Sequence, residues 1–511
     1  MRRSLLLAAL AAGIVSGTSA AWSFETLVAE TTANRHGLTR PWFNQVEFDS
    51  ARGRVTGMTL YDGVLYLQTD RAQVHAMDAE TGQSLWVRRA GNPAYATLPI
   101  GVNDEMVAVV NGSTLYVLNR YNGKLIWQTR LEHVPGGGVT MSQQRVYVPM
   151  IDGIIASYRL DPDPQRRLRE RVVREDPALA DLPLDQPDEE MVVDDGADSA
   201  AERARLDAFR LPQEYIRPLT THSYGRAWVP PLVTRQNTAE EFVAWATDRG
   251  MMFVGHIDRS ADRRFRVVFR LDTHGVISAP PTLLPPDPDI VGDSGVIFAV
   301  SYDGTVYAMR ERDGSELWQF PTGEPIAVPA VVVARRVYAT TRLGGMYCLD
   351  ARTGEQQWWA PQIADFVASS GNRIYVSDRQ GRLIVLRADT GARIDVLPVD
   401  PKMLKYRNDQ TDRIYLASAS GLVQCLREIE HDEPVRHRPP GQIVEVEAEP
   451  VVRERDDRGP AAPPAPAAPA PAAPPPPPAP APPPPPADPF GAMPDDPFGP
   501  EPPDPFEDPF R

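Results

Sequence analysis

The chain has 511 residues, 42% of them hydrophobic, two cysteines and a formal net charge of −15. An acidic protein with no basic stripe is a poor candidate for binding nucleic acid. Two cysteines with no C-x-x-C spacing, and eight histidines with no pair at helical ligand spacing, exclude a local zinc or haem-attachment signature.

Residues 1–20 read as a secretory signal peptide: Arg2 and Arg3, an eleven-residue apolar core "LLLAALAAGIV", then the small residues of "SGTSA". The apolar core is short for a membrane span, and no other run is long enough to cross. The mature chain is expected to be exported, in the periplasm or cell envelope, soluble or peripheral to a membrane, and monomeric. An uncleaved anchor is the alternative for this segment.

From about residue 40 to 430 short runs alternate apolar and polar residues, as in "GVLYLQTD", "RVYVPMID", "RRVYATTRLGG" and "DRIYLASASG". Such period-two runs, rich in β-branched and aromatic residues, are half-buried strands. After each comes a second strand such as "LYVLNR" or "MYCLDA", then a T-G, N-G or D-G turn, and a third strand. Those dipeptides accept the positive φ of tight turns, so the flanking strands pair antiparallel. A weaker fourth strand, as in "IAVPAVVV", is expected to bridge to the next unit.

One motif recurs with this period: "DAETGQSLW" with Gly82 and Trp86, "NRYNGKLIW" with Gly123 and Trp127, "RERDGSELW" with Gly314 and Trp318, "DARTGEQQW" with Gly354 and Trp358. In "RADTGARID" the turn is present at Gly391, but Asp395 stands where the ring should be. Four strands per forty residues without helices predict an all-β propeller. Units start near residues 58, 100, 140, 240, 292, 330, 368 and 408, giving eight blades, with seven the alternative count. Cys348 and Cys425 fall at equivalent places in non-neighbouring units, which predicts two buried free thiols.

This D-x-x-T-G-x-x-x-W pattern resembles the tryptophan-docking repeat of pyrroloquinoline quinone (PQQ) type propellers, over about residues 56–430. The resemblance implies an eight-bladed ring in which the tryptophan of one blade packs on the glycine turn of a neighbour. Trp86, Trp127, Trp318 and Trp358, with Gly82, Gly123, Gly314 and Gly354, would then be architectural. The family includes quinoprotein dehydrogenases and a non-catalytic, BamB-like branch. A dehydrogenase needs a flat, dry pocket, a calcium ion on oxygen ligands and an acid to take the substrate's proton. The adjacent cysteines of many such enzymes are missing here, and the blades are close to minimal length. The expectation is therefore a binding scaffold with no catalytic, cofactor or metal residues. The alternative is a PQQ- and calcium-dependent alcohol or sugar dehydrogenase. The lipid-modified cysteine of BamB-type proteins is also missing after the apolar core.

Two smaller features have competing readings. Asp287 and Asp289, in "PPDPD", stand two apart as in calcium loops, but the prolines favour a rigid linker into blade five. Trp359, beside Trp358, is either an exposed stacking ring or an edge-packing ring between blades.

The acidity belongs to two appendages. Residues 161–211 carry a net −7 and residues 432–511 a net −9, leaving the remainder at +1. The insertion, placed at 161–225, interrupts the third blade and has a disorder-type composition. Within it Ser199 and Glu202 read as a helix capping box, for a partner-docking helix or a solvated excursion. The tail from 432 becomes an Ala/Pro spacer at 460–487. It ends in four Asp-Pro-Phe copies, whose Phe490, Phe498, Phe506 and Phe510 are candidate anchors for a partner's pocket. The partner is expected to be another envelope protein.

Overall fold

The computed structural model describes residues 27–160, 217–234, 241–257, 265–288 and 291–437. The leader, the capping box at Ser199 and the four Asp-Pro-Phe copies lie outside the described residues. All described residues fall in one compact unit. No described helix is long and apolar enough to cross a membrane.

Among the described residues, thirty-two strands form eight antiparallel four-stranded sheets, so the protein is an eight-bladed β-propeller. Blade one runs Val55–Tyr61, Val64–Thr69, Gln73–Asp78 and Ser84–Arg89; blades two to seven repeat this order to Leu397. The alternating runs seen in the sequence are the second strands, and the tryptophan lies on the fourth. The expected bridging strand is a correction: Val331–Val333 of "IAVPAVVV" pairs within blade six as its first strand. First strands of blades two to six lie against one another, so they face the axis. They are short because the sheets converge there.

Blade eight closes the ring. Leu404–Lys405, Ile414–Ala417 and Leu422–Glu428 supply three strands, and the fourth is Leu38–Gln45 from the start of the propeller. Trp42 sits opposite Cys425 in this pairing. The closure is latched by Arg413, which is fully buried. Its guanidinium donates to Glu80 Oε2 of blade one at 3.0 Å, to Asp412 Oδ1 at 3.3 Å and to the carbonyl oxygen of Asp432 at 2.8 Å. A buried charge must be paired in this way or it would be strongly destabilising.

Eight apolar clusters occur among the described residues, and each straddles two consecutive blades. One blade cannot bury both faces of its sheet, so the core exists only between blades and a ring is the way to complete it. Cys348 and Cys425 are free and buried in two different clusters. Burial pushes the Cys348 thiol up to about 12 and raises Cys425 further, which makes both inert as nucleophiles at neutral pH.

Three sequence boundaries move. The insertion ends earlier than residue 225, because Leu219–His222 pairs with Ile154–Ser157 as the fourth strand of blade three. The tail begins later than 432: Asp412 Oδ1 accepts from Val435 N at 3.0 Å, and Gln410 O accepts from His437 N at 2.8 Å. Pro285–Pro288 is no linker into blade five, since that blade has already begun with Thr282–Leu284. There the Asp287 carbonyl closes a turn by accepting from Val291 N and Gly292 N.

Candidate functional site

Two places have a built geometry: the joints between blades and the mouth of the axial channel. At the joints, the D-x-x-T-G sequence folds locally. Asp78 Oδ1 accepts from Thr81 N at 2.7 Å and Glu80 N at 3.1 Å, and Asp78 O accepts from Gly82 N at 2.9 Å. The carboxylate thus caps the turn, and Gly82 takes φ +71°, a conformation that disfavours any Cβ.

That turn receives a ring from the preceding blade. At Gly123 a Cβ would lie 2.6 Å from Cε3 of Trp86, so only glycine leaves room for the indole to lie flat. Gly354 stands in the same relation to Trp318, Gly391 to Trp358 and Gly82 to Trp42. Each indole also donates Nε1–H to a turn carbonyl: Trp86 to Arg120 O at 2.7 Å, Trp318 to Ala351 O at 3.1 Å, Trp358 to Ala388 O at 3.0 Å and Trp42 to Ala79 O at 3.0 Å. The other side of each ring leans on an aromatic of its own second strand, as Trp86 on Tyr66 at 6.0 Å and Trp318 on Phe298 at 5.7 Å. The indole is satisfied at both ends, an apolar body with its one polar atom paired.

Trp127 is different. It is buried in the cluster it shares with Val146, Val148 and Tyr158 of blade three. No glycine turn among the described residues receives it; the third-to-fourth connection of that blade lies mostly outside them. Gly314 is met by Phe269 of blade four rather than by a tryptophan. Trp42 and Phe269 were not singled out from the sequence: neither follows a D-x-x-T-G turn within its own stretch of chain. Trp359, 48% exposed, lies across its own blade 6.4 Å from Tyr347 rather than in a joint.

The axial cavity has a volume of about 500 Å³ and is lined by Met58, Leu232, Thr282, Val331, Lys405 and Arg407, among others. Its charges are already engaged. Arg407 Nε and Nη2 donate to both oxygens of Asp365 at 2.7–3.0 Å, a bidentate pair. Lys405 Nζ donates to Met403 O at 3.1 Å, and burial pushes its ammonium down against the pull of Asp400 and Asp378. Tyr406 accepts from Leu60 N at 3.1 Å and packs edge-on to Tyr415. Lys405 and Arg407 had no sequence signal, because the chain there matches no repeat.

No cluster of three or more His, Cys, Asp or Glu able to hold a metal occurs among the described residues. A PQQ site needs a calcium on free carboxylate or carbonyl oxygens and flat surfaces above and below the quinone. Here two carboxylates line the cavity, Asp365, whose oxygens both accept from Arg407, and Asp409, which with Asp365 falls short of a cluster of three ligands; the lining tyrosine packs edge-on to Tyr415. The residues present do not fit that group.

A closed ring of eight four-stranded blades, joined by indoles seated on glycine turns, defines a tryptophan-docked propeller. The chain belongs to the family described as outer membrane protein assembly factor BamB, whose model matches residues 20–163 and 290–424, more than half of the chain. Among solved structures it is similar to BamB from Moraxella catarrhalis, at 14% identity and TM-score 0.52, covering 77% of this chain and 98% of that one. It is similar also to Saccharomyces cerevisiae Sqt1, at 9% identity and TM-score 0.51, covering 76% and 99%. The quinohemoprotein alcohol dehydrogenase from Comamonas testosteroni aligns at 12% identity and TM-score 0.48, covering 77% of each chain. At these identities the likeness is one of fold. No curated protein sequence matches significantly.

Proposed function

We propose that the protein is an exported, non-catalytic propeller that serves as a protein-interaction scaffold in the bacterial cell envelope. The observation that carries this reading is the state of the axial cavity. Its Arg407–Asp365 pair is closed on itself, its tyrosine packs edge-on to Tyr415, and the described residues hold no cluster of three or more His, Cys, Asp or Glu for a metal. Membership of a family described as an outer membrane assembly factor supports an envelope location and protein partners. Four Asp-Pro-Phe copies after an Ala/Pro spacer add a multivalent peptide ligand to this reading, with Phe490, Phe498, Phe506 and Phe510 as the anchors.

Purified protein incubated with PQQ and calcium, then assayed for dye reduction with alcohols and aldose sugars, tests the reading. No turnover is expected. Sustained turnover would make the chain a quinoprotein dehydrogenase instead. For the tail, partner recovery from envelope extract is compared between the full chain, a chain ending at residue 487 and one with all four phenylalanines changed to alanine. Identical partner sets would remove the tail from the function.

A further inference from the structure

In a four-stranded antiparallel blade, the second-to-third turn and the connection to the next blade emerge at the same end. The glycine turns of the docking motif emerge at the other. At the first end each connection is hydrogen-bonded to the turn of the blade it leads into: Asp248 N to Arg226 O at 3.0 Å, Tyr302 N to Val276 O at 2.9 Å, Arg342 N to Pro325 O at 2.7 Å. Blades three to six therefore present one continuous rim.

Along this rim three arginines lie over aromatic rings: Arg226 over Trp228 at 5.8 Å, Arg249 over Tyr224 at 5.7 Å and Arg342 over Tyr302 at 5.8 Å. All three arginines are exposed, as are Trp228 (49%) and Tyr224 (65%). None of the three has a carboxylate within ion-pair distance among the described residues. The neighbouring acids are turned onto the fold. Asp248 Oδ1 accepts from Arg226 N at 2.8 Å, Asp303 Oδ2 from His274 N at 3.0 Å, and Glu324 Oε2 from the Thr341 hydroxyl at 2.6 Å.

We infer that this rim is a docking surface for an acidic, aromatic-containing peptide segment of a partner protein. The inference rests on the scaffold reading and supplies its surface. Charge complementarity selects the acidic partner: on a chain of net −15, the rim displays guanidinium groups whose planar forks are free for carboxylates. Stacking pre-organises those groups, so little rotamer freedom is lost when they bind. Exposed Trp and Tyr beside Arg is the composition that concentrates binding energy in protein interfaces. A purely phosphate ligand would leave the ring faces unused.

The probe is an array of random twelve-residue peptides, read with the full chain and with the triple variant R226E/R249E/R342E. Bound peptides should be enriched in Asp or Glu together with Phe, Tyr or Trp. Their signal should fall about tenfold in the triple variant and in 0.5 M salt, with the melting temperature unchanged. A second variant, Tyr224→Ala with Trp228→Ala, should weaken the same peptides without removing the salt dependence. An array with no binding, a bound set without acidic bias, signals kept within twofold by the triple variant, or preferential capture of phosphatidylglycerol vesicles would each overturn the inference. Cross-linking in envelope extract separates it from the scaffold reading. Partners kept by the triple variant would sink the rim and leave the scaffold standing. A wild-type chain that cross-links to nothing, beside a positive array, would sink the scaffold and leave the rim.

Discussion

Blades six and seven are joined by Trp358, which lies on Gly391 and donates to Ala388 O at 3.0 Å. Blades seven and eight are joined without an indole. There Asp395 takes the ring's position and its carboxylate pairs with His36, just after a short helix at Glu30–Arg35. The reason is topological. The receiving turn in blade eight would lie between its third and fourth strands, but the fourth strand comes from the beginning of the chain. With no hairpin there is no D-x-x-T-G turn to receive a ring; the fourth strand is entered through Gly37, where a Cβ would meet Arg373 Nη1 at 3.2 Å. Closing the circle with both ends of the chain thus costs one docking site, and an ion pair, together with apolar packing of Val28, Ala33 and Leu38, fills it.

The indole joints should be the stronger kind. Trp318→Ala or Trp86→Ala removes a buried ring and leaves a cavity against the next blade, at a cost of about 3–5 kcal/mol. Denaturant melts should show a lower midpoint. Variants that melt like the parent would break the comparison, because the rings would then not hold the blades together. Placing a methyl in the cleft attacks the same joint from its other face. Gly123→Ala keeps the indole but forces a Cβ into a left-handed conformation and 2.6 Å from Trp86. The expected loss is about 1–3 kcal/mol, measured the same way, and a neutral result would mean that the turn slides away freely.

These joints were legible because they are local. Asp, Gly and Trp stand within nine residues of one another, and the pattern recurs. For Trp86, Trp318 and Trp358 the receiving glycine was implied too, by the resemblance to a repeat whose ring packs on the next unit's turn; for Trp127 that expectation finds no described glycine. Trp42 was not legible, because it is read against Gly82 but belongs to the blade whose other strands begin at residue 404. Pairing across that distance leaves no spacing in the sequence. Phe269 escaped because the fourth blade substitutes a smaller ring, and the axial charges Lys405 and Arg407 because the chain around them matches no repeat and Arg407 meets Asp365 only across the joint of blades seven and eight. The Arg–aromatic rim is assembled from four separate loops, none of which carries a motif.

The ionic joint should respond to pH where the indole joints do not. The bond from His36, followed by Val396 N at 2.8 Å, holds the Asp395 carboxyl below the usual carboxylate range. A carboxylate depressed in the folded state stabilises the fold above its unfolded value of about 3.9, and that contribution fades as pH falls through the folded value. Asp395→Asn should therefore melt slightly lower than the parent at pH 6, within about 3 °C given the partial exposure of the pair. The two curves should converge once the pH falls below the folded value of the Asp395 carboxyl. A gap that persists at low pH would show that the asparagine disturbs packing rather than charge.

The smallest effect should come from the residue next to the largest. Trp358 and Trp359 are adjacent on one strand, so their side chains leave opposite faces of the sheet. Trp358 is 6% exposed in the joint, while Trp359 is 48% exposed and lies over Gly345 and Tyr347 of its own blade, and Tyr347 in turn meets Phe320 of blade five at 5.5 Å. Its indole has no turn to lie on. Trp359→Ala should thus shift stability by no more than about 0.5–1 kcal/mol, against about 3–5 for Trp358→Ala. The pair holds composition, strand and sequence neighbourhood constant and varies only the seat of the ring. Equal losses from both would mean that bulk along the outer strand, and not docking on a neighbour's glycine turn, joins the blades.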